Sequence, residues 1–376
     1  MDTFKTLKDI GDVRGKKVIV RSELNAPIEN GKVSDNYRIE KASPTLKKLS
    51  ELGAKVIVTA HLGRNPEDSL RPVYEELKKV IPSTKFVPDL IGDEARSAID
   101  SLGEGEVLLL ENVRCNEGEK NNDEEFGRTL ASLADYYVSD AFGAAHREHA
   151  SVVGIPRHIP SYAGLLMERE IKELKNGLKP ESPSLFILGG AKFDTKEPLL
   201  KAVVDRYDQV FIGGALANDF LKAKGFEVGA SVVSEGAENI HEILESEKIL
   251  LPTDVVVEGE HGAIRKSIAD VGVNEKIVDV GPESITELGM RIARAEFILW
   301  NGPLGFYEGG YTEGTRETAQ LVAVSKGYSI IGGGDTVAAI RDLDLEEKMN
   351  FISTGGGAML EFLVRGELPG IKALET

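Results

Sequence analysis

Apolar residues along this chain fall in short runs separated by longer amphipathic stretches. Runs at Lys17–Val20, Val56–Thr59, Lys85–Val87, Val107–Leu110 and Tyr136–Ser139 read as strands. Between several of them the apolar spacing changes to threes and fours, which predicts helices at Glu40–Leu52, Val73–Val80 and Glu124–Ala134. Strands alternating with helices are the signature of a parallel sheet with helical crossovers. The alternation restarts at Ser184, with strands predicted at Leu185–Leu188, Gln209–Ile212, Asp254–Val257, Phe297–Trp300 and Ser329–Ile331. The chain therefore reads as two α/β domains of similar size. Ala163–Leu178 is the predicted joint, a helix carrying Leu165, Leu166, Ile171 and Leu174 and ended by Gly177 and Pro180.

In the first half, positive groups gather where strands end. Arg21 closes the first strand and leads into Ser22-Glu23-Leu24-Asn25-Ala26-Pro27, and Arg38 follows Asp35-Asn36-Tyr37. His61-Leu62-Gly63-Arg64 follows the next strand, Arg114 follows Glu111-Asn112-Val113, and His146-Arg147 follows Asp140-Ala141-Phe142-Gly143-Ala144-Ala145. Ligands of open α/β sheets bind beyond the carboxyl ends of the strands, so five loops bring Arg or His to one face. Any one of these arginines alone would read as a surface ion pair; the set reads as an anion site, since arginine suits carboxylate and phosphate.

Overall charge sharpens this reading. The formal net charge is −17 and the pI about 5.0, which argues against nonspecific nucleic-acid or anionic-membrane binding but leaves a local anion site possible. Cys115 is the single cysteine, so neither an intrachain disulfide nor a thiolate metal cluster is expected. His149 and His158 read as structural or surface residues, since no zinc-ligand spacing supports another role. The chain start has no signal-peptide pattern, and no apolar run approaches the ~18 residues of a membrane span. A soluble cytoplasmic protein is expected.

The second half carries glycines at its strand ends. Its first βα turn reads Leu188-Gly189-Gly190-Ala191-Lys192-Phe193-Asp194-Thr195-Lys196, where two lysines four residues apart either sit solvated on a helix start or face one polyphosphate. Gly213-Gly214-Ala215-Leu216-Ala217-Asn218 could floor an adenine. In Trp300-Asn301-Gly302-Pro303-Leu304-Gly305-Phe306-Tyr307-Glu308, Glu308 could accept from ribose hydroxyls, while Trp300 reads as a packing residue. Ile330-Ile331-Gly332-Gly333-Gly334-Asp335-Thr336 joins a strand to a helix. Glycines and a helix start there favour phosphate. Asp335 then either caps the helix or reaches the phosphates through Mg²⁺. Ser353-Thr354-Gly355-Gly356-Gly357-Ala358 repeats the arrangement, with a helix start able to stabilise a transferring phosphoryl group.

These blocks, in this order and over essentially the whole chain, resemble the phosphoglycerate kinase family. The resemblance implies an α/β protein of two Rossmann-like parallel-sheet domains joined by a hinge helix: residues 1–162 for 3-phosphoglycerate, 163–178 as hinge helix, and 179–361 for nucleotide, with 362–376 returning to the first domain. It implies reversible phosphoryl transfer between ATP and 3-phosphoglycerate in glycolysis, giving ADP and 1,3-bisphosphoglycerate, with Mg²⁺, by a monomer that closes about its hinge. By matching positions, Glu23, Leu24, Asn25, Arg38, His61, Leu62, Gly63, Arg64, Arg114 and Arg147 form the phosphoglycerate site. Arg38 and Lys192 would flank the phosphoryl group in flight, with Gly334 and Gly355–Gly357 as backbone donors. Gly190, Ala191, Lys196, Gly214, Ala215, Asn301, Pro303, Glu308, Gly333 and Thr336 would line the nucleotide, and Asp335 would hold the metal.

Three positions depart from the family pattern: Glu23 stands where aspartate is usual, Ala215 replaces a third glycine, and Asn65 replaces a proline. Two rivals are a kinase for a substrate as small as acetate and a catalytically weakened nucleotide-binding scaffold. The arginine set argues against the first, and the presence of Arg38, Lys192 and Asp335 together argues against the second.

Overall fold

Strand Lys17–Ser22 lies inside the first of two six-stranded parallel sheets, flanked by Lys55–Thr59 on one side and Tyr136–Asp140 on the other. From edge to edge that sheet runs Thr84–Phe86, Val107–Leu109, Lys55–Thr59, Lys17–Ser22, Tyr136–Asp140, Ser161–Ala163. Val18, Ile19, Val20, Val56, Ile57 and Val58 are all fully buried, because both faces of these strands are covered. The structure, a computed structural model, describes residues 4–191, 193, 196–235, 240–260 and 262–375.

The second sheet runs Ile249–Leu250, Gln209–Ile212, Ser184–Leu188, Phe297–Asn301, Tyr328–Gly332, Phe351–Ile352. Counted along the chain, that order is 3-2-1-4-5-6, the doubly wound order whose ligand crevice opens where the direction of winding reverses. The reversal falls between Ser184–Leu188 and Phe297–Asn301, the two strands that end in Gly189-Gly190 and Gly302-Pro303. Trp300 is fully buried in the core of this sheet, its indole N–H donating to the Gly302 carbonyl at 2.8 Å, which agrees with the packing role read from the sequence.

One predicted strand changes partners. Asp254–Val257 was expected in the parallel sheet; instead Asp254–Gly259 is the centre of a three-stranded antiparallel ribbon with Gly262–Ser267 and Lys276–Val280. Gly259 pairs with Gly262, and a connection that short joins only antiparallel strands. Ser161–Ala163, Ile249–Leu250 and Phe351–Ile352 are two or three residues long, too short to show a period in the sequence.

The chain divides into two units, one running to Lys172 and taking up again from Glu367, the other spanning Glu173–Gly366. The division falls inside helix Leu165–Leu178. Its start is held by a carboxylate distant in sequence: Asp140 Oδ1 accepts from the Leu166 and Met167 amides at 2.9 and 3.2 Å. Burial pushes the Asp140 carboxyl up to about 8. Phe362 and Leu363 belong to helix Gly357–Arg365 of the second unit, and the segment that rejoins the first begins at Glu367. There Leu368, Ile371 and Leu374 are buried, and the Gly370 amide donates to the Ala145 carbonyl at 2.8 Å. Among the described residues no helix is long and apolar enough to cross a membrane.

Candidate active site

In the first unit the strand-end loops are tied to one another before any ligand is considered. The Asn25 side chain accepts from the Gly63 amide at 2.9 Å, and its carbonyl accepts from Arg38 Nη1 at 2.6 Å. Arg38 occupies the first turn of helix Tyr37–Glu51, started by Asp35, whose carboxylate accepts from the Tyr37 amide at 2.9 Å. Glu23 is almost fully buried, with Oε1 3.9 Å from Arg38 Nη1 and Oε2 without a hydrogen-bond partner among the described residues. Arg114 follows Asn112, whose side chain starts a 3₁₀ turn by accepting from the Arg114 amide, and Arg114 Nη1 donates to the Gly63 carbonyl. Leu24 and Leu62 are buried, so they shape the walls from behind; Arg64 is exposed and Arg147 partly so.

Electrostatics confirm the crowding. Burial first, then Arg147 and Arg21, push the Arg114 guanidinium down to about 10, and Arg147 is lowered by burial and by Arg21, Arg38 and Arg64 while Glu23 opposes the shift. Like charges perturb one another this way only at short range, so the arginines share one neighbourhood. His61 does not add to their charge: burial and then Arg21, Arg114, Arg147 and Arg38 hold it well below the usual histidine range, so it is neutral at physiological pH.

In the second unit the glycine loops cross so closely that side chains are excluded. A Cβ at Gly189 would lie 2.1 Å from the Pro303 carbonyl oxygen, and one at Gly214 (φ +64°) would lie 2.9 Å from the Gly190 nitrogen. Backbone bonds fix the crossing: Gly189 N donates to Asn301 O at 2.9 Å, and Leu216 N to Gly190 O at 2.8 Å. Beside it opens a cleft of about 360 Å³ lined by Gly190, Ala191, Gly214, Ala215 and Pro303 on one side and by Val255, Ile277, Val278 and Val280 of the antiparallel ribbon on the other, with Glu308 and Asp335 also at its wall. The size and apolar lining suit a planar ring of nucleotide dimensions.

Other predicted residues sit at the strand ends and helix starts of this unit. Asn301 is buried at the strand end and contributes its backbone to the crossing. Gly333 (φ +93°) precedes helix Gly334–Asp342, leaving the Gly334 and Asp335 amides at an uncapped helix start. Thr336 is fully buried, and its Oγ1 has no partner among the described residues. Gly357 starts its helix after Gly356 (φ +49°), and a Cβ at Gly357 would meet open space. Lys192 lies outside the described residues.

Two charges in this unit are unsettled in the free protein. Partial burial first, and then the neighbouring Glu308 carboxylate, push Asp335 up. Burial pushes Lys196 down to about 8. A nucleotide phosphate would favour the charged ammonium and draw a proton onto it. At pH 8, ADP binding is therefore expected to take up about half a proton, with the uptake fading toward pH 6 where Lys196 is already charged. Calorimetry in buffers of different ionisation heat measures this; equal heats in all buffers at pH 8, in both wild type and Lys196→Met, would remove Lys196 from the phosphate site.

Residues that the sequence left without a role also build the site. Asn112 is fully buried and donates to the Leu62 and Asp68 carbonyls at 3.0 and 2.7 Å, holding the His61–Arg64 loop. Its place directly after a predicted strand was the available signal. Of the ribbon wall, Asp254–Val257 is predicted from the sequence as a strand but Lys276–Val280 is not, since its Lys-Ile-Val-Asp-Val run has no clear period.

The family model described as "Phosphoglycerate kinase" matches residues 7–366. Phosphoglycerate kinases of Dictyoglomus turgidum and Cereibacter sphaeroides are each 44% identical, over 99% of this chain and 99–100% of theirs. Among solved structures, the phosphoglycerate kinase of Coxiella burnetii superposes with a TM-score of 0.85 at 37% identity, over 99% of this chain and 98% of that one. That of Pyrococcus horikoshii OT3 gives 0.89 at 31%, over 98% of each.

Proposed function

The chain belongs to the phosphoglycerate kinase family, and on that premise we propose how its residues divide the work of reversible phosphoryl transfer between ATP and 3-phosphoglycerate. The reaction gives ADP and 1,3-bisphosphoglycerate as a step of glycolysis. The observation that carries the assignment of residues is the shared neighbourhood of Arg38, Arg64, Arg114 and Arg147 around Glu23, Asn25 and His61. No observation favours the weakened scaffold.

The acid carboxylate is already ionised at neutral pH, so the reaction needs no general base. One carboxylate oxygen forms a bond to the γ-phosphorus as the bond to the β–γ bridging oxygen breaks, and that electron pair stays on ADP. Charge stabilisation is then the main task of the protein. Arg64, Arg114 and Arg147 hold the distal phosphate of the acid. Glu23 supplies the unpartnered Oε2 as acceptor for the substrate hydroxyl, and Arg38 faces the moving phosphoryl group. Lys196 and the amides at Gly334 and Gly357 hold nucleotide phosphates, Glu308 the ribose, and the cleft beside Gly214 and Ala215 the base. Lys192 would face the phosphoryl group from the nucleotide side by its place in the motif.

The surroundings of Asp335 fit a Mg²⁺ ion, since a carboxyl pushed up by burial and by Glu308 is relieved by a cation. Among the described residues no group of three or more acidic, His or Cys side chains could hold a metal by itself, so the nucleotide oxygens and water would complete its shell. When bound, the ion neutralises phosphate charge.

The net charge of −17 supports a partner set of small anions without nucleic acid, and we place the enzyme in the cytoplasm as a monomer. A coupled assay with ATP, Mg²⁺ and 3-phosphoglycerate tests the reading; absence of ADP formation that depends on 3-phosphoglycerate would end it. The acid and nucleotide residues belong to different units, so transfer requires closure about helix Leu165–Leu178. Small-angle scattering is expected to show a smaller radius of gyration with both ligands than with either alone, and an unchanged radius with both would reject closure.

A further inference from the structure

Behind the acid site runs a buried polar chain that the transfer reaction does not use directly. The Glu119 carboxylate, fully buried, accepts from the Ser151 amide at 2.8 Å and from Ser151 Oγ at 2.6 Å. Arg21 Nε donates to the same Ser151 Oγ at 2.8 Å, Nη1 to the Ser22 carbonyl at 3.0 Å, and Nη2 contacts His61 Nδ1 at 2.9 Å. Tyr137 Oη donates to the Ser151 carbonyl at 2.9 Å, completing the support. Arg21 is 1% exposed, so a substrate in the acid site cannot touch it as it touches an exposed arginine.

A guanidinium carries donors only. Its contact with His61 Nδ1 is a hydrogen bond only if that nitrogen offers a lone pair. We propose that Arg21 is a positioning residue, which holds the His61 imidazole neutral with its proton on Nε2, so that the ring gives the acid substrate one directed donor and no charge.

The chain explains how Arg21 can stay in the interior to do this. Glu119 is its buried counter-charge, reached through Ser151. Burial opposes ionisation of Glu119, but the nearby His149 (Nδ1 3.6 Å from Oε1), the charge of Arg21 and the hydrogen bonds from Ser151 together hold its carboxyl below the usual range. A buried charge without such a partner would be strongly destabilising. Arg114, Arg147 and Arg38 act on His61 as well, and each disfavours an imidazolium. A neutral donor suits a site already rich in arginine, because a further cation there would add repulsion in the free enzyme.

The role for His61 rests on the acid-site reading above, whereas its tautomer can be tested in the free enzyme. In wild-type protein labelled with ¹⁵N in its histidine rings, long-range ¹H–¹⁵N correlation at neutral pH and above is expected to show His61 with Nδ1 bare and Nε2 protonated. His61→Gln identifies the signal by its disappearance. An imidazolium near pH 6, or a proton on Nδ1, would overturn the proposal without any variant of Arg21 having to fold. Arg21→Lys keeps the charge but loses the fork that reaches three acceptors. It is expected to let both tautomers appear, to bring the titration of His61 nearer its ordinary range, and to raise KM for 3-phosphoglycerate about tenfold with kcat changed less than twofold, the worth of one hydrogen bond to a charged ligand. A single bare-Nδ1 tautomer with unchanged KM in Arg21→Lys would also overturn it. If the tautomer is as stated but 3-phosphoglycerate moves no His61 signal, the lock by Arg21 stands and the assignment of His61 to the acid site falls.

Discussion

Arg38→Ala is expected to lower kcat by about a thousandfold or more, the lower end of what one arginine contributes at a transferring phosphoryl group. The fold should hardly notice. Helix Tyr37–Glu51 is started by the Asp35 carboxylate on the Tyr37 amide, not by the arginine, and the Arg38 side chain is 34% exposed. Its anchors are the Asn25 carbonyl and the Glu23 carboxylate, and Glu23 keeps a second cationic neighbour in Arg147. The melting temperature should therefore stay within a few degrees of wild type. Arg38→Lys should recover only a part of the rate, since one ammonium cannot reproduce a planar fork. Steady-state kinetics decide between two roles. A large fall in kcat marks an interaction made in the transition state; a rise in KM with kcat nearly intact would make Arg38 a ground-state ligand and reject the assignment.

Asp335→Asn is expected to lower kcat/KM for Mg-nucleotide about a hundredfold, roughly 2.7 kcal/mol, while the affinity for 3-phosphoglycerate stays as it was. The competing view is that Asp335 merely stabilises the start of helix Gly334–Asp342. Magnitudes separate the two. A carboxylate in a first helical turn contributes about 0.3–1 kcal/mol to stability, and the near-isosteric amide keeps the shape. The helix start itself is set by Gly333 in a conformation only glycine adopts readily, with no side-chain cap to lose. A small drop in melting temperature with full activity would support the cap and remove the metal role. Partial recovery of the variant at high Mg²⁺ would strengthen that role.

The legibility of the fold followed strand length. Runs such as Val56–Thr59 or Gln209–Ile212 carry three apolar residues in succession, and each lies in a strand of a parallel sheet. Ile249–Leu250 and Phe351–Ile352 are defined by their neighbours' hydrogen bonds, which a local pattern cannot contain. Asp254–Gly259 was visible as a strand but not as antiparallel, because its partner lies beyond a turn whose tightness the apolar pattern does not report. The acid site was legible as chemistry: arginines at successive strand ends were enough to expect an anion. The means of holding those side chains was not. Arg21 meets Ser151, and Ser151 meets Glu119, across long stretches of sequence, so no spacing rule links them. His61 shows the same limit, since its charge state depends on burial and on four distant arginines.

The chain enters the second unit within one helix and comes back only for its last few residues, from Glu367. Leu368, Ile371 and Leu374 then fill places in a unit otherwise built from the opposite end of the polypeptide. On the ribosome this sets an order. The first unit emerges first yet lacks those three side chains until the whole of the second has been translated, an interval on the order of ten to forty seconds. The unit made earlier thus waits on residues made later, and a chain released short of Leu368 would carry a first unit with an open apolar notch around Ala145 and Val152.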